Sequence, residues 1–254
     1  MDLILLLGPT GSGKTARSVR LARRLGAPVV TLDRVQCAPQ LAVGSGRPEP
    51  DELSGTRRIY LADRPVDEGI LPGAEAADRL EQLLEEHAAL TPTLILEGGS
   101  ISILGELANR PAWTHGHTIH IEPCLEENPQ RYEQRVSKRV AHMLGYGSGT
   151  HRTMLDELAD LWPHENTRPH LQTVLGYDDI ITVCVRYGID PASLTGPEGR
   201  ILRYVFADTI VEAHLHYSRQ QRLHIAAMLP LLALTGGQVK EKATRRRHGT
   251  RVPA

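Results

Sequence analysis

The chain is poor in phenylalanine, in cysteine and in net charge. One Phe, Phe206, stands beside 2 Trp and 7 Tyr in 254 residues, so the core must be built from Leu, Ile, Val and Ala. The three cysteines, Cys37, Cys124 and Cys184, lie far apart. An odd, scattered set excludes a disulfide framework and a cysteine-based zinc site. With 29 basic against 30 acidic residues the net charge is -1, which argues against a generally basic nucleic-acid coat but leaves room for a local basic patch. No apolar run approaches the ~18 residues of a membrane span. Met1 to Leu7 carries an acid and no basic residue, and does not read as a secretion signal. These absences point to a reduced, cytoplasmic, globular protein with no membrane partner. At about 150 residues per domain, the length suggests one large domain with an appendage. The 41% of hydrophobic residues is enough for a core at this size.

What is present begins at the N-terminus. Residues 3–7 are Leu-Ile-Leu-Leu-Leu, a short continuous apolar run of the kind found in a buried parallel strand. Gly8-Pro9-Thr10-Gly11-Ser12-Gly13-Lys14-Thr15 follows at once and fits G-x-x-x-x-G-K-[ST] at every fixed position. A helical pattern then runs from Ala16 to Leu25, with Gly26 as its stop. Glycines let a backbone curl so that several N–H groups converge on one anion. The helix start adds partial positive charge. Lys14 supplies a full charge, and the Thr15 hydroxyl suits a Mg²⁺ shell completed by phosphates and waters. The loop therefore predicts a di- or triphosphate site, without naming the reaction.

Pro28 to Leu32 predicts a second strand, with Asp33 directly after it. Ligands sit at the C-terminal ends of strands in an open α/β sheet. A carboxylate there holds metal, accepts a proton or grips a cation; the bland alternative is a turn cap. In a kinase it would orient a hydroxyl, and in transfer to an amine it would take the proton.

Further along, residues 38–75 are rich in Pro, Gly and charge and predict an irregular segment with one strand, Arg58 to Ala62. Ala74 to Leu90 predicts a surface helix, Pro92 to Leu96 a third buried strand, and Glu97-Gly98-Gly99-Ser100 its ligand-facing loop. Glu97 there could reach Mg²⁺ through water. His117 to Ile121 predicts a fourth strand. His115, His117 and His120 have no carboxylate or cysteine at zinc spacing and read as ordinary strand and loop histidines. Gln130 to Leu144 predicts a helix whose basic face carries Arg135, Lys138 and Arg139, by default a solvated face. Helices are predicted over Met154 to Ala159, Pro169 to Tyr187 and, as one or two, Ile201 to Leu234, with a turn-rich break at 191–199. The fold class is α/β: a P-loop NTPase-like parallel sheet flanked by helices, with a helical C-terminal part. The predicted division is 1–150, 151–235 and a basic, mobile tail 236–254.

Several blocks together resemble the bacterial adenylate isopentenyltransferases, relatives of the tRNA dimethylallyltransferases. They are the Gly8–Thr15 loop, Leu32-Asp33-Arg34-Val35-Gln36-Cys37, Gly44-Ser45-Gly46-Arg47-Pro48, Thr56-Arg57-Arg58-Ile59-Tyr60-Leu61 and Leu94 to Ser102. The resemblance extends from Met1 to about Arg222. It implies that the loop holds the diphosphate of a prenyl donor, dimethylallyl diphosphate, with Mg²⁺ as cofactor and Thr15 at the metal. It implies that N6 of AMP attacks C1 of the allylic chain and diphosphate departs. Gly11, Ser12, Gly13, Lys14, Thr15, Arg139 and Arg222 would bind the donor diphosphate, with Thr10 at its bridging oxygen. Asp33 would hydrogen-bond N6 and take its proton, so that Asp33, Thr10 and Lys14 form the catalytic set. Arg34, Ser45, Gly98, Gly99 and Ser100 would line the AMP site. His216 matches a histidine linked to acceptance of a hydroxylated donor.

One position departs from the resemblance. The family carries an Asp before Gly-Tyr, and here Leu175 precedes Gly176-Tyr177. Either Asp33 acts alone, or Asp178 or Asp179 substitutes. A geranyl or hydroxylated donor, a small-molecule kinase and a non-catalytic nucleotide-binding regulator stay open as alternatives. The length and the neutral charge argue against a tRNA acceptor, the basic run Lys240–His248 reading as a solvated tail. A monomer or homodimer is expected.

Overall fold

The computed structural model describes residues 1–146, 152–234 and 238–239. Six parallel strands form one sheet in the order β3-β2-β4-β1-β5-β6. They are β1 Asp2–Leu7, β2 Val29–Leu32, β3 Arg58–Tyr60, β4 Thr93–Gly98, β5 Thr118–Pro123 and β6 Gln238–Val239. The apolar runs at 3–7, 28–32 and 92–96 became the three central strands because a parallel sheet covered on both faces has no polar side.

The helices are α1 Lys14–Leu25, the single turns α2 Ala42–Ser45 and α3 Pro50–Leu53, α4 Gly73–Ala88, α5 Ile101–Asn109, α6 Pro129–Met143, α7 Met154–Leu161, α8 Arg168–Leu171, α9 Tyr177–Tyr187 and α10 Pro197–Leu234. α1 covers one face of the sheet, where Leu21 and Ala22 meet Leu6, Val29 and Ile95. On the other face, Leu80, Leu84, Ile103 and Leu107 of α4 and α5 pack on Leu3, Leu5, Leu94 and Leu96. A second core joins Tyr132, Val136 and Val140 of α6 to Leu155, Leu158, Tyr177 and Ile181, and it holds the chain's one Phe, Phe206.

α10 belongs to both cores. Phe206 and Ile210 lie in the helical core, while Ile225 and Met228 lie against the sheet. It is one helix of 38 residues, and it runs through Pro230. It begins at Pro197, a residue suited to the first helical turn, so Gly199 is helical rather than part of a break.

Four further expectations need correction. The helix predicted over 169–187 is two, α8 and α9, because Gly176 sits at φ 90° and interrupts it. β3 stops at Tyr60 and β5 begins at Thr118. Within the predicted tail, Gln238 and Val239 pair with His120 and Ile121 as an edge strand. The basic run Lys240–His248 lies outside the described residues. Among the described residues no helix is long and apolar enough to cross a membrane.

Candidate active site

The loop after β1 turns through two glycines in the left-handed region, Gly11 at φ 75° and Gly13 at φ 86°. A side chain is disfavoured there by ~1–2 kcal/mol. The Lys14 ammonium folds back to donate to the Pro9 carbonyl at 2.8 Å. Burial lowers its pKa to about 8, against the pull of Glu97 and Asp33.

Glu97, at the end of β4, is the anchor beneath this loop. Its Oε1 accepts from the Thr15 hydroxyl at 2.9 Å, and its Oε2 accepts from Ser18 at 2.5 Å and from Arg58 Nη1 at 2.8 Å. Burial pushes the Glu97 carboxyl up. The charge and hydrogen bond of Arg58, with Ser18 and Lys14, reverse that and hold it below its usual range. Gly98 and Gly99 follow because the strand ends approach closely. A Cβ on Gly98 would stand 2.3 Å from the Leu32 carbonyl, and one on Gly99 2.2 Å from the Gly8 carbonyl.

Asp33 ends β2. Its Oδ1 accepts from the Val35 and Gln36 N–H groups at 3.0 and 3.3 Å, so it does cap the turn that follows. Its Oδ2 lies 3.4 Å from Gln36 Nε2. Burial raises the Asp33 pKa, and the two backbone hydrogen bonds, Lys14 and Arg139 offset only part of the rise. Such a carboxylate is tuned toward the range of a general base.

Phosphate loop, Asp33 and Glu97 open into one cavity of about 460 Å³, within the range of roughly 300–1,000 Å³ typical of ligand sites. Thr10, Ser45, Gly46, Ser100, Arg139 and Gln221 also line it, and α6 adds Arg135, Lys138 and His142. A groove of about 890 Å³ between Arg47, Tyr60 and the Asp78–Gln82 face shares Arg47 with this cavity but contains no residue of the phosphate loop.

Arg139 enters from α6. Its Nη2 donates to the Gly46 and Ser45 carbonyls at 3.2 and 3.5 Å. Gly46 lies at φ 66°, and a Cβ there would fall 1.2 Å from that nitrogen. Ser45 is delivered by α2, whose Val43 and Gly44 N–H groups donate to Glu157 at 2.7 and 2.9 Å while Tyr177 donates its hydroxyl to the same carboxylate. Gly44 must be small, since a Cβ would meet the Tyr177 hydroxyl at 2.2 Å.

Other residues named from the sequence stand apart from the cavity. Arg34 donates to the Leu71 carbonyl at 2.8 Å. Arg222 donates to the Glu126 carbonyl at 2.9 Å and lies over the Tyr132 ring, 5.2 Å from its centroid. The Ser12 hydroxyl is buried without a hydrogen-bond partner. His216 is exposed beside Gln220, whereas His214, two residues earlier, is 6% exposed with neither ring nitrogen bonded. Burial, with Arg139 nearby, lowers the His214 pKa to about 4. Asp178 is exposed, and Asp179 accepts from the Gly176 N–H at 2.9 Å. Of the three aspartates weighed against Leu175, Asp33 alone lines the cavity.

Sequence reasoning missed Arg58, Glu157 and Gln221. Each bonds to a group far away in the chain, a signal that becomes legible only once the buried faces are known.

The chain matches the family described as "Isopentenyl transferase" over residues 1–233. It is 44% identical over 179 residues to the adenylate dimethylallyltransferase of Ralstonia solanacearum, covering 70% of this chain and 75% of that one. It is 34% identical over 238 residues to the adenylate dimethylallyltransferase of Allorhizobium ampelinum, covering 94% and 98%. Among solved structures, the tRNA isopentenylpyrophosphate transferases of Staphylococcus epidermidis and Bacillus halodurans share the fold. Their TM-scores are 0.67 and 0.65 at 15% and 16% identity, and they match 94% and 89% of this chain over 92% and 86% of their own.

Proposed function

The chain belongs to the isopentenyl transferase family, and from that premise we propose that it transfers a dimethylallyl group from its diphosphate to N6 of AMP. The observation that carries this reading is that the phosphate loop and the Asp33 carboxylate open into one cavity. A kinase would use the loop and an acid beside it equally well, and the family match is what favours the transferase. The relative matched over 94% of this chain, named for adenylate, supports a nucleotide acceptor.

The donor diphosphate sits in the loop, where the backbone N–H groups and Lys14 neutralise the charge that grows as it leaves. N6 attacks C1 of the allylic chain, the C1–O bond breaks with its electron pair going to diphosphate, and the N6 proton passes to Asp33. Thr10, Ser45 and Arg139 line the same cavity, and Arg139 is near enough to Lys14 to act on its charge, so Arg139 would join Lys14 at the donor diphosphate and Ser45 would meet the acceptor phosphate. Alignment is the main contribution left to the protein, because an allylic C1 already carries cationic character.

The residues present also fit Mg²⁺. Among the described residues no group of three His, Cys, Asp or Glu converges on a metal, so a cation would be held chiefly by the diphosphate. Thr15 points its proton at Glu97, which leaves the hydroxyl lone pairs for a cation, with Glu97 reaching it through water. When bound, Mg²⁺ supplies further neutralisation of the leaving charge.

The test is direct. The protein is mixed with AMP, dimethylallyl diphosphate and Mg²⁺ and the products are weighed. AMP gaining one C5 unit is the expected result. Consumption of ATP with phosphorylation of a small molecule would establish the kinase instead. Arms with geranyl and hydroxylated donors, and with tRNA in place of AMP, define donor length and acceptor.

A further inference from the structure

The buried stripe of α10 is apolar at both ends and polar in the middle. Ile210 faces the helical core and Ile225 the sheet core, and between them come His214, Ser218 and Gln221. A buried polar side chain is costly unless it is hydrogen-bonded. Gln221, 4% exposed, uses both amide atoms: Oε1 accepts from the Thr10 N–H at 3.0 Å and Nε2 donates to the Gly99 carbonyl at 2.8 Å. The Thr10 carbonyl accepts in turn from the Tyr132 hydroxyl on α6. The two peptides that flank Thr10 are therefore each held from outside the loop, the Pro9–Thr10 unit at its N–H by α10 and the Thr10–Gly11 unit at its C=O by α6.

A loop of this kind binds an anion through N–H groups left free to point inward. The Thr10 N–H is taken by Gln221 and the Ser12 N–H by the Pro9 carbonyl at 3.2 Å, so the Pro9–Thr10 peptide is fixed and Gly11 is the first residue of the loop whose N–H is left to face an anion. We propose that Gln221 is a positioning residue of the donor site, fixing the Pro9–Thr10 peptide and thereby aiming the Thr10 side chain at the donor diphosphate. It touches none of the reacting atoms. The inference rests on reading the loop as a diphosphate site.

The test uses the full chain and the variants Gln221→Met, Gln221→Glu, Thr10→Ala and Thr10→Ala combined with Gln221→Met. Two readouts are taken: calorimetric binding of inorganic pyrophosphate with Mg²⁺, and steady-state kinetics with dimethylallyl diphosphate and AMP. Small misplacements at a reacting centre cost up to about 10²-fold. Gln221→Met should lower kcat/KM for the donor on that order and weaken pyrophosphate binding, with far less change in the KM for AMP. Gln221→Glu keeps an acceptor for the Thr10 N–H and should recover part of the loss; it also serves if the Met variant fails to fold. The Thr10→Ala and Gln221→Met losses should not multiply, because one acts through the other. Multiplying losses, or both Gln221 variants within twofold of the parent, would overturn the proposal. Pyrophosphate binding separates the two claims. If it depends on Gln221 while AMP is never prenylated, the transferase reading falls and the positioning role stands.

Discussion

Arg58 on β3 reaches past β2 to pair with Glu97 on β4, Nη1 to Oε2 at 2.8 Å, with side chains 2% and 4% exposed. The pair lies on the α1 face, where Glu97 also receives the hydroxyls of Thr15 and Ser18. One buried cation thus sets the carboxylate that orients the end of the phosphate loop. Removing one partner of such a pair strands the other charge. Arg58→Met should therefore lower stability by about 3–5 kcal/mol, read as the urea midpoint against the parent. A midpoint shift near zero would mean that Glu97 is neutral in the fold.

The same pair gives stability a pH dependence. Glu97 has a folded pKa below its unfolded one. Its contribution is complete above the usual carboxylate range and is lost as the pH falls through the folded value. Urea midpoints at pH 7 and pH 4 should therefore differ more in the parent than in a folded Glu97→Gln variant.

Asp33→Asn keeps an oxygen that can accept the Val35 N–H but removes the carboxylate that we propose as the base. Turnover should fall by about 10²–10⁴-fold while pyrophosphate binding persists. In the parent, kcat/KM should rise with pH along a limb displaced above the usual aspartate range, because burial raises the Asp33 pKa. The limb should vanish in the variant. A limb that survives the substitution would assign the base elsewhere.

Lys14, lowered to about 8 by burial, should lose its proton in the free protein as the pH rises past that value. A bound diphosphate favours the charged form, so the decline belongs in donor kcat/KM rather than in kcat. Lys14→Ala should weaken pyrophosphate binding and abolish this alkaline limb.

Gly46→Ala tests the seat of Arg139. The new Cβ adopts φ 66° and collides with Arg139 Nη2. A left-handed alanine costs about 1–2 kcal/mol, and Arg139 must leave its two carbonyls. Activity should drop, and adding Arg139→Ala should change it little further, since both act on one group.

Much of the site was legible along the chain. The runs at 3–7, 28–32 and 92–96 each end in the group that faces the cavity: the Gly8–Thr15 loop, Asp33 and Glu97. Fully buried strands need continuous apolar residues, and chemistry begins where that run stops. The glycine pair at 98–99 was read as an approach to phosphate. The structure adds another reason, the close passage of the Leu32 and Gly8 carbonyls.

Cations were harder to place. Arg139, Arg222 and Arg34 look alike in sequence, yet Arg139 alone of the three lines the cavity. His214 and His216 differ by two residues, about 200° around a helix at 3.6 residues per turn. The side that faces inward follows from where α10 meets the two cores, and no local pattern announces it.

Short apolar strands and a glycine loop are encoded over a few neighbouring residues, so the amino-acid order by itself determined the parallel sheet, the anion cradle and the carboxylates at its rim. Which helix face, which guanidinium and which amide reach that rim depends on packing between segments far apart in the chain. Thr10 and Gln221 are 211 residues apart and Glu97 and Arg58 are 39 apart, and only the folded core brings each pair within hydrogen-bond reach.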